Sequence, residues 1–305
     1  MQKDTLEIKA YAKINLGLDV LRRRPDGYHE VRMIMQTVGI YDTLVLKKAE
    51  RGIAFHVIMA GEGESPSADA GEVPNNEDNL GYKAAKLLME TYGIEEGVNI
   101  SLTKRIPVAA GMAGGSTDAA AVLKGMNLLF ELGLSEETLQ ELGVKLGADV
   151  PYCIQGGTAL AEGIGERLTG LSDAPDCVLL VAKPDISVST KYVYENLKPD
   201  ALERRPDIDG MMAAIGEGSL DGILDCMENV LQSVTEVKYP VIGKLKQQME
   251  AEGAVKAMMS GSGPTVFGIF KEEEKARAAY EAVLRGKLAK QVFLTGFINP
   301  SKEEG

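Results

Sequence analysis

Residues 107–120 read PVAAGMAGGSTDAA, mostly small residues headed by proline, with two hydroxyl residues and an aspartate before a final pair of alanines. Upstream, residues 98–104 alternate apolar and polar side chains as a strand does. Downstream, Ala119, Val122, Leu123, Met126, Leu129 and Phe130 fall at the three-to-four spacing of a helix that buries one face. A strand, a glycine-rich turn and a helix in that order demand a layered mixture of sheet and helix. They also put a helix N-terminus beside a backbone free to bend. Gly111, Gly114 and Gly115 permit positive φ and close approach to a ligand. Ser116 and Thr117 are expected to cap the helix, with Asp118 in its first turn. Such a terminus holds phosphate through its N–H groups and partial positive charge. An ordinary capped helix after a glycine turn explains the same residues. The segment is not a Walker A loop, because GxxxxGK[ST] is absent, and GxGxxG occurs nowhere.

The rest of the chain interleaves the two periodicities. Residues 5–20 alternate like a pair of strands, with Leu6, Ile8 and Ala10, then Ile14, Leu16, Leu18 and Val20, on one face. RPDG at 24–27 marks a turn, and strands are expected over 31–48 and 52–60. Residues 61–77 are small, acidic and turn-forming, and read as a loop. Asn79 heads a helix to about Tyr92. Ser135 opens an imperfect capping box, with Thr138 where Glu or Gln is wanted, for a helix ending at Gly147. A tight hairpin is expected over 156–168 and a buried strand at 177–183. Helices follow at 189–197, 207–215, 219–231 and 240–252, then strands at 255–259 and 264–270, a helix at 271–285 and a strand at 291–297. The pattern is α+β. A length of 305 residues suits two lobes, and the polar SDAPD at 172–176 suggests division into 1–168 and 169–305.

Composition excludes several classes. No apolar run reaches the ~18 residues of a membrane span, and the first twenty residues lack the apolar core of a secretory signal, so a cytoplasmic protein with no membrane partner is expected. A net charge of -12 argues against a nucleic-acid surface. Any positive potential must be local, with Arg22, Arg23, Arg24, Lys104 and Arg105 as candidates. Three scattered cysteines and two histidines provide neither a disulfide framework nor a zinc site.

Three further places carry chemistry. Lys13 and Asn15 lie out of phase with the apolar stripe of AKINLGLDV, on a wet edge or aimed into a cleft. Asp149, in GADVPY, follows a glycine and precedes a strand-like Val-Pro; it is a turn residue or a reactive carboxylate. His29, in DGYHE, sits beside a turn, an aromatic ring and a run of arginines.

Taken together, AKINLGLDV (12–20), RPDGYHE (24–30), PVAAGMAGGSTDAA (107–120), GADVPY (147–152), AEGIGE (161–166) and SGSGPTVFGIF (260–270) resemble the GHMP small-molecule kinases over nearly the whole chain. AKIN followed by DGYHE resembles the branch that acts on a cytidine-diphosphate-linked methylerythritol. The branch's loop is often GGGLGGGSSDAA, and here Ala109, Ala110, Met112 and Ala113 intrude. The resemblance implies a two-lobed GHMP kinase fold, a ribosomal S5 domain 2-like N-terminal lobe and a ferredoxin-like C-terminal lobe. It implies a kinase using ATP and Mg2+ on a small-molecule substrate, as a monomer or homodimer, in isoprenoid precursor synthesis. It implies Asp149 as catalytic base and Lys13 as its cationic partner. Pro107, Val108, Ala109, Ala110, Gly111, Met112, Ala113, Gly114, Gly115, Ser116 and Thr117 would wrap the triphosphate, with Ser116 or Thr117 able to touch the metal. Asn15, Tyr28, His29 and Thr190 would contact the acceptor, Tyr194 would stack on its cytosine, and Gly261 and Gly263 would shape the cleft.

Overall fold

A computed structural model of the chain describes residues 4–60 and 73–299. Most of the loop expected over 61–77 therefore lies outside the described residues. The described structure separates into two compact units, each drawn from several stretches of chain. One comprises Met1–Ala12, Ile40–Val108 and Ala113–Gln155; the other comprises Lys13–Gly39, Ala109–Met112 and Gly156–Gly305. This differs from a single division at 168/169, because two long strands pass from one unit into the other. They are β1 (Thr5–Arg23) and β2 (His29–Ala49). Both are single strands where pairs of shorter ones are expected: the even-numbered apolar positions of β1 stay in phase from Leu6 to Val20, so nothing breaks it.

In the first unit, β3 (Ile53–Met59) runs parallel to β4 (Gly97–Lys104), and β4 pairs antiparallel with the second half of β2, from Thr43↔Thr103 to Ala49↔Gly97. Four helices accompany these strands: α1 (Leu80–Tyr92), α2 (Gly114–Leu129), α3 (Glu136–Val144) and α4 (Val150–Gln155). Leu44, Leu46, Ile100 and Leu102 of the strands join Ala84, Leu88, Val122, Leu123 and Met126 of the helices in one core. Asn79 caps α1 as expected, its Oδ1 accepting from Gly81 N at 2.8 Å. Ser135 caps α3 at Thr138 N, 3.2 Å away, but the helix ends at Val144 rather than Gly147. Val150 and Pro151 open a helix, not a strand. Proline is tolerated in a first helical turn, where its missing N–H has no intrahelical partner to lose.

In the second unit, β5 (Thr158–Gly163) pairs antiparallel with the first half of β2 and with β6 (Arg167–Gly170), the expected hairpin. A separate antiparallel sheet has the order β10-β7-β9-β8, with β7 Val178–Lys183, β8 Lys256–Met259, β9 Val266–Phe270 and β10 Gln291–Gly296. Numbered within the sheet, that order is 4-1-3-2, the ferredoxin-like arrangement. Against it pack α9 (Val241–Ala251) and α10 (Glu273–Gly286). The remaining helices are α5 (Thr190–Asn196), α6 (Ile208–Gly216), α7 (Leu220–Cys226) and α8 (Gln232–Lys238). The helix expected over 219–231 stops at Cys226, because Met227 turns extended and Asn229 forms a bridge with Leu18 of β1. Among the described residues, no helix is long and apolar enough to cross a membrane.

Candidate active site

Ala113 takes φ 58°, ψ 27°, a left-handed conformation that ends the loop and lets α2 begin at Gly114. No side chain caps this helix. Ser116 and Thr117 lie inside its first turn instead of capping it, and Asp118 lies one residue beyond. The N–H groups of Gly114, Gly115 and Ser116 are thus unclaimed by a cap and unshielded by side chains at the two glycines, which fits an anion. The Thr117 hydroxyl is committed: it donates to the carbonyl of Tyr11 at 2.7 Å. Of the two hydroxyl residues, Ser116 is the one suited to a metal. Among the described residues, no cluster of three or more His, Cys, Asp or Glu side chains forms a metal cage.

Positive φ falls elsewhere than the glycine pattern predicts. Gly111 has φ 72°, but Gly114 and Gly115 are helical, and Ala109 (φ 50°) and Ala113 take left-handed conformations. Gly111 is also a packing requirement. A Cβ there would lie 2.4 Å from the carbonyl oxygen of Ser260. The Ser260 hydroxyl donates to the Gly111 carbonyl at 3.0 Å, and Lys13 N donates to Met112 O at 3.2 Å. Residues 109–112 are therefore seated within the second unit, against β1 and the turn between β8 and β9. Pro107 and Val108 belong to the first unit and lead into this segment.

Lys13 and Asn15 are 5% and 0% exposed, so the wet-edge alternative falls. Lys13 Nζ donates to Asn15 Oδ1 at 2.9 Å, and Asn15 Nδ2 faces Met33 Sδ at 3.2 Å. The odd-numbered face of β1 is covered: Gly17 leaves only 3.0 Å between an added Cβ and Ile208 of α6. Asp149 lies in the first unit at the N-cap position of α4, its carbonyl accepting from Cys153 N at 3.1 Å.

The expected acceptor residues divide. The rings of His29 and Tyr194 come together, 5.1 Å between centroids and tilted by 38°. Burial, and then the charge of Arg23, lower the His29 pKa, which favours a neutral imidazole at pH 7. Thr190, one turn before Tyr194 on α5, shares a hydrogen bond with Ser262 at 2.9 Å between hydroxyl oxygens. Tyr28 is 61% exposed.

Most candidate cations are already engaged. Arg22 pairs with Glu30 at 2.5 Å and Arg24 with Asp26 at 2.9 Å, whereas Arg23 has no ion pair among the described residues. Arg105 lies over the Tyr41 ring. Lys104 is buried between Asp42 and Asp118, 2.8 Å from the latter, so it gives residues 107–117 no free charge. Two sets of residues escape sequence reasoning, this Asp42–Lys104–Asp118 cluster and Asn229. Neither carries a spacing signal, since Lys104 reaches carboxylates 14 and 62 residues away and the Asn229 amide reaches carbonyls 30 and 32 residues away.

Comparison with known proteins follows the same lines. The family model for the GHMP kinases N terminal domain matches residues 79–157, and that for the GHMP kinases C terminal region matches 211–290. A 4-diphosphocytidyl-2-C-methyl-D-erythritol kinase from Lachnoclostridium phytofermentans is 50% identical over 294 residues, 96% of this chain and 98% of the relative. A crystal structure of 4-(cytidine 5'-diphospho)-2C-methyl-D-erythritol kinase superposes with a TM-score of 0.79 at 33% identity, covering 96% of this chain and 99% of the other. Homoserine kinase from Cytophaga hutchinsonii shares the fold, with a TM-score of 0.74 at 20% identity over 97% of this chain and 94% of its own.

Proposed function

The chain belongs to the GHMP kinases, and from that premise we infer that it is a 4-diphosphocytidyl-2-C-methyl-D-erythritol kinase, moving the γ-phosphoryl group of ATP to the acceptor's 2-hydroxyl. The near-full-length likeness to kinases of that name carries the acceptor's identity. The reaction serves isoprenoid precursor synthesis by the non-mevalonate route, and a cytoplasmic site suits its nucleotide substrates.

Each residue's part follows from its chemistry. The uncapped start of α2 and the bent backbone at 109–113 receive the triphosphate through N–H groups. Mg2+, held mainly by phosphate oxygens and touched by Ser116, would offset charge on the transferring group. Asp149 accepts a hydrogen bond from the acceptor hydroxyl and takes its proton late, as the oxygen bonds to phosphorus and ADP departs. A carboxylate is a weak base toward an alcohol, and a loose transition state needs little early proton removal. Lys13 supplies positive charge for the attacking oxygen. The Tyr194 ring, seated beside His29, offers a flat π face to cytosine, with His29, Tyr28, Asn15 and Thr190 as further contacts.

An ADP-release assay tests this reading. The cytidine-linked methylerythritol should be turned over far more efficiently than mevalonate or homoserine, and Asp149→Asn should bind ATP but transfer almost nothing. Comparable turnover of either competitor would refute the acceptor; a fully active Asp149→Asn would refute the base.

A further inference from the structure

Asn229 is 1% exposed, and every polar atom of its side chain is used. Nδ2 donates to two carbonyls, Met259 O and Gly261 O, each at 2.8 Å, and Oδ1 accepts from Leu231 N at 3.0 Å. Two carbonyl acceptors require an NH2 group facing them, which fixes the orientation of the amide. The two carbonyls flank Ser260, so one side chain holds both ends of the turn that carries Ser260.

That turn reaches two other places in the same unit. The Ser260 hydroxyl holds the Gly111 carbonyl at 3.0 Å, and the backbones are close enough that Gly111 admits no Cβ. Two residues on, the Ser262 hydroxyl meets that of Thr190 at 2.9 Å. Thr235 of α8 supports the turn, donating to Ser262 O at 3.2 Å. Asn229 is tied to β1 as well: Leu18 N donates to Glu228 O at 3.0 Å and Val230 N to Leu18 O at 3.1 Å. β1 is the strand that carries Lys13 and Asn15.

We propose that Asn229 is a positioning residue for phosphoryl transfer, its amide fixing the Ser260–Gly263 turn that sets Gly111 on the nucleotide side and Thr190 on the acceptor side. The inference rests on the kinase reading for those two sides. No isostere replaces the amide: a carboxylate at this position sets an oxygen against two carbonyl oxygens, and alanine leaves both buried carbonyls unpaired.

The test compares Asn229→Asp with a matched buried amide away from the turn. Gln36 is 0% exposed and equally committed, donating to Thr37 O at 3.0 Å and Ile298 O at 3.2 Å and accepting from Thr158 Oγ1 at 2.6 Å. In Gln36→Glu, ADP affinity by titration calorimetry and kcat should stay within about threefold of the parent, whatever the melting temperature lost. In Asn229→Asp both should fall by about tenfold or more. If Asn229→Asp loses no more of either than Gln36→Glu, the proposal fails. Should Asn229→Asp not fold, Ser260→Ala decides, since it removes only the turn's bond to Gly111: tenfold weaker ADP binding supports the proposal, and parental affinity overturns it. ADP titration needs no acceptor, so absence of turnover with the cytidine-linked compound would count against the function, while the ADP affinities would still decide the role of Asn229.

Discussion

Asp118 lies one residue past the glycine-rich segment 107–117, buried, sharing Lys104 with Asp42. Asp42 spends its other oxygen on the N–H groups of Arg105 and Ile106. Burial is the largest influence on Asp118 and the nearby Asp42 charge adds to it; Lys104 opposes both, and the result is a pKa raised to about 8. A raised folded-state value means that the native protein holds a proton which the unfolded chain releases near pH 4. This contribution to stability is therefore complete below about pH 4 and is lost as pH rises through about 8. Asp118→Asn cannot titrate. Denaturant midpoints at pH 5, 7 and 9 should show the parent losing stability relative to the variant as pH rises, and parallel curves would refute the shift. Tyr194 supports a second prediction. Its ring rests against His29, and a cytosine stacked there loses its platform in Tyr194→Ala, so acceptor KM should rise by about tenfold while ATP KM changes little. Equal effects on both constants would place Tyr194 outside the acceptor site.

At the scale of elements, legibility follows whether the deciding interaction is local. The Asn79 cap and the hairpin of β5 and β6 are set by neighbours in the chain, and the sequence shows them. The beginning of α2 depends on the left-handed Ala113, which no propensity favours, so Ser116 and Thr117 look like caps when they are not. Val150-Pro151 looks extended because proline's tolerance in a first helical turn depends on where the helix begins. The end of α7 and the start of α8 depend on Asn229 meeting Leu18, 211 residues away by the difference of their numbers, beyond any periodicity. The three alanines of the loop give an element-scale prediction. An L-residue in the left-handed region costs about 1–2 kcal/mol, and glycine's extra unfolded-state freedom costs about 0.4–1 kcal/mol. Ala109→Gly and Ala113→Gly should each stabilise by about 0.5–1 kcal/mol, seen as a higher denaturant midpoint at unchanged slope. Ala110, without positive φ and 3% exposed, should give the opposite sign: Ala110→Gly only removes a buried methyl and adds unfolded-state entropy. If all three move together, backbone strain is not what distinguishes them.

For the whole molecule, the chain's path decides what can stand alone. Two lobes are legible from length and from the order of strand and helix patterns, but a cut at 168/169 does not separate the compact units. The second unit takes Lys13–Gly39 and Ala109–Met112 from the N-terminal part of the chain. Residues 169–305 by themselves retain the β10-β7-β9-β8 sheet with α9 and α10. They lose Leu18 beside Asn229 and Val38 beside Phe297. They also lose Gly17, against which Ile208 and Met211 pack. Those apolar side chains would face water, and Glu228 O would lack its partner Leu18 N. Residues 1–168 lose the complementary set, since the buried stretch from Ala12 to Val20 then has no α6 or Ser260 turn over it. Burial is worth roughly 25 cal/mol per Å2, and a domain's net stability is only about 5–15 kcal/mol, so about 200–600 Å2 of newly exposed apolar surface is enough to cancel it. Expressed separately, 1–168 and 169–305 should each melt without a cooperative transition and fail to bind ADP. A sharp, reversible melt from 169–305 alone would show that the ferredoxin-like sheet is self-sufficient and that Lys13–Gly39 only decorates it.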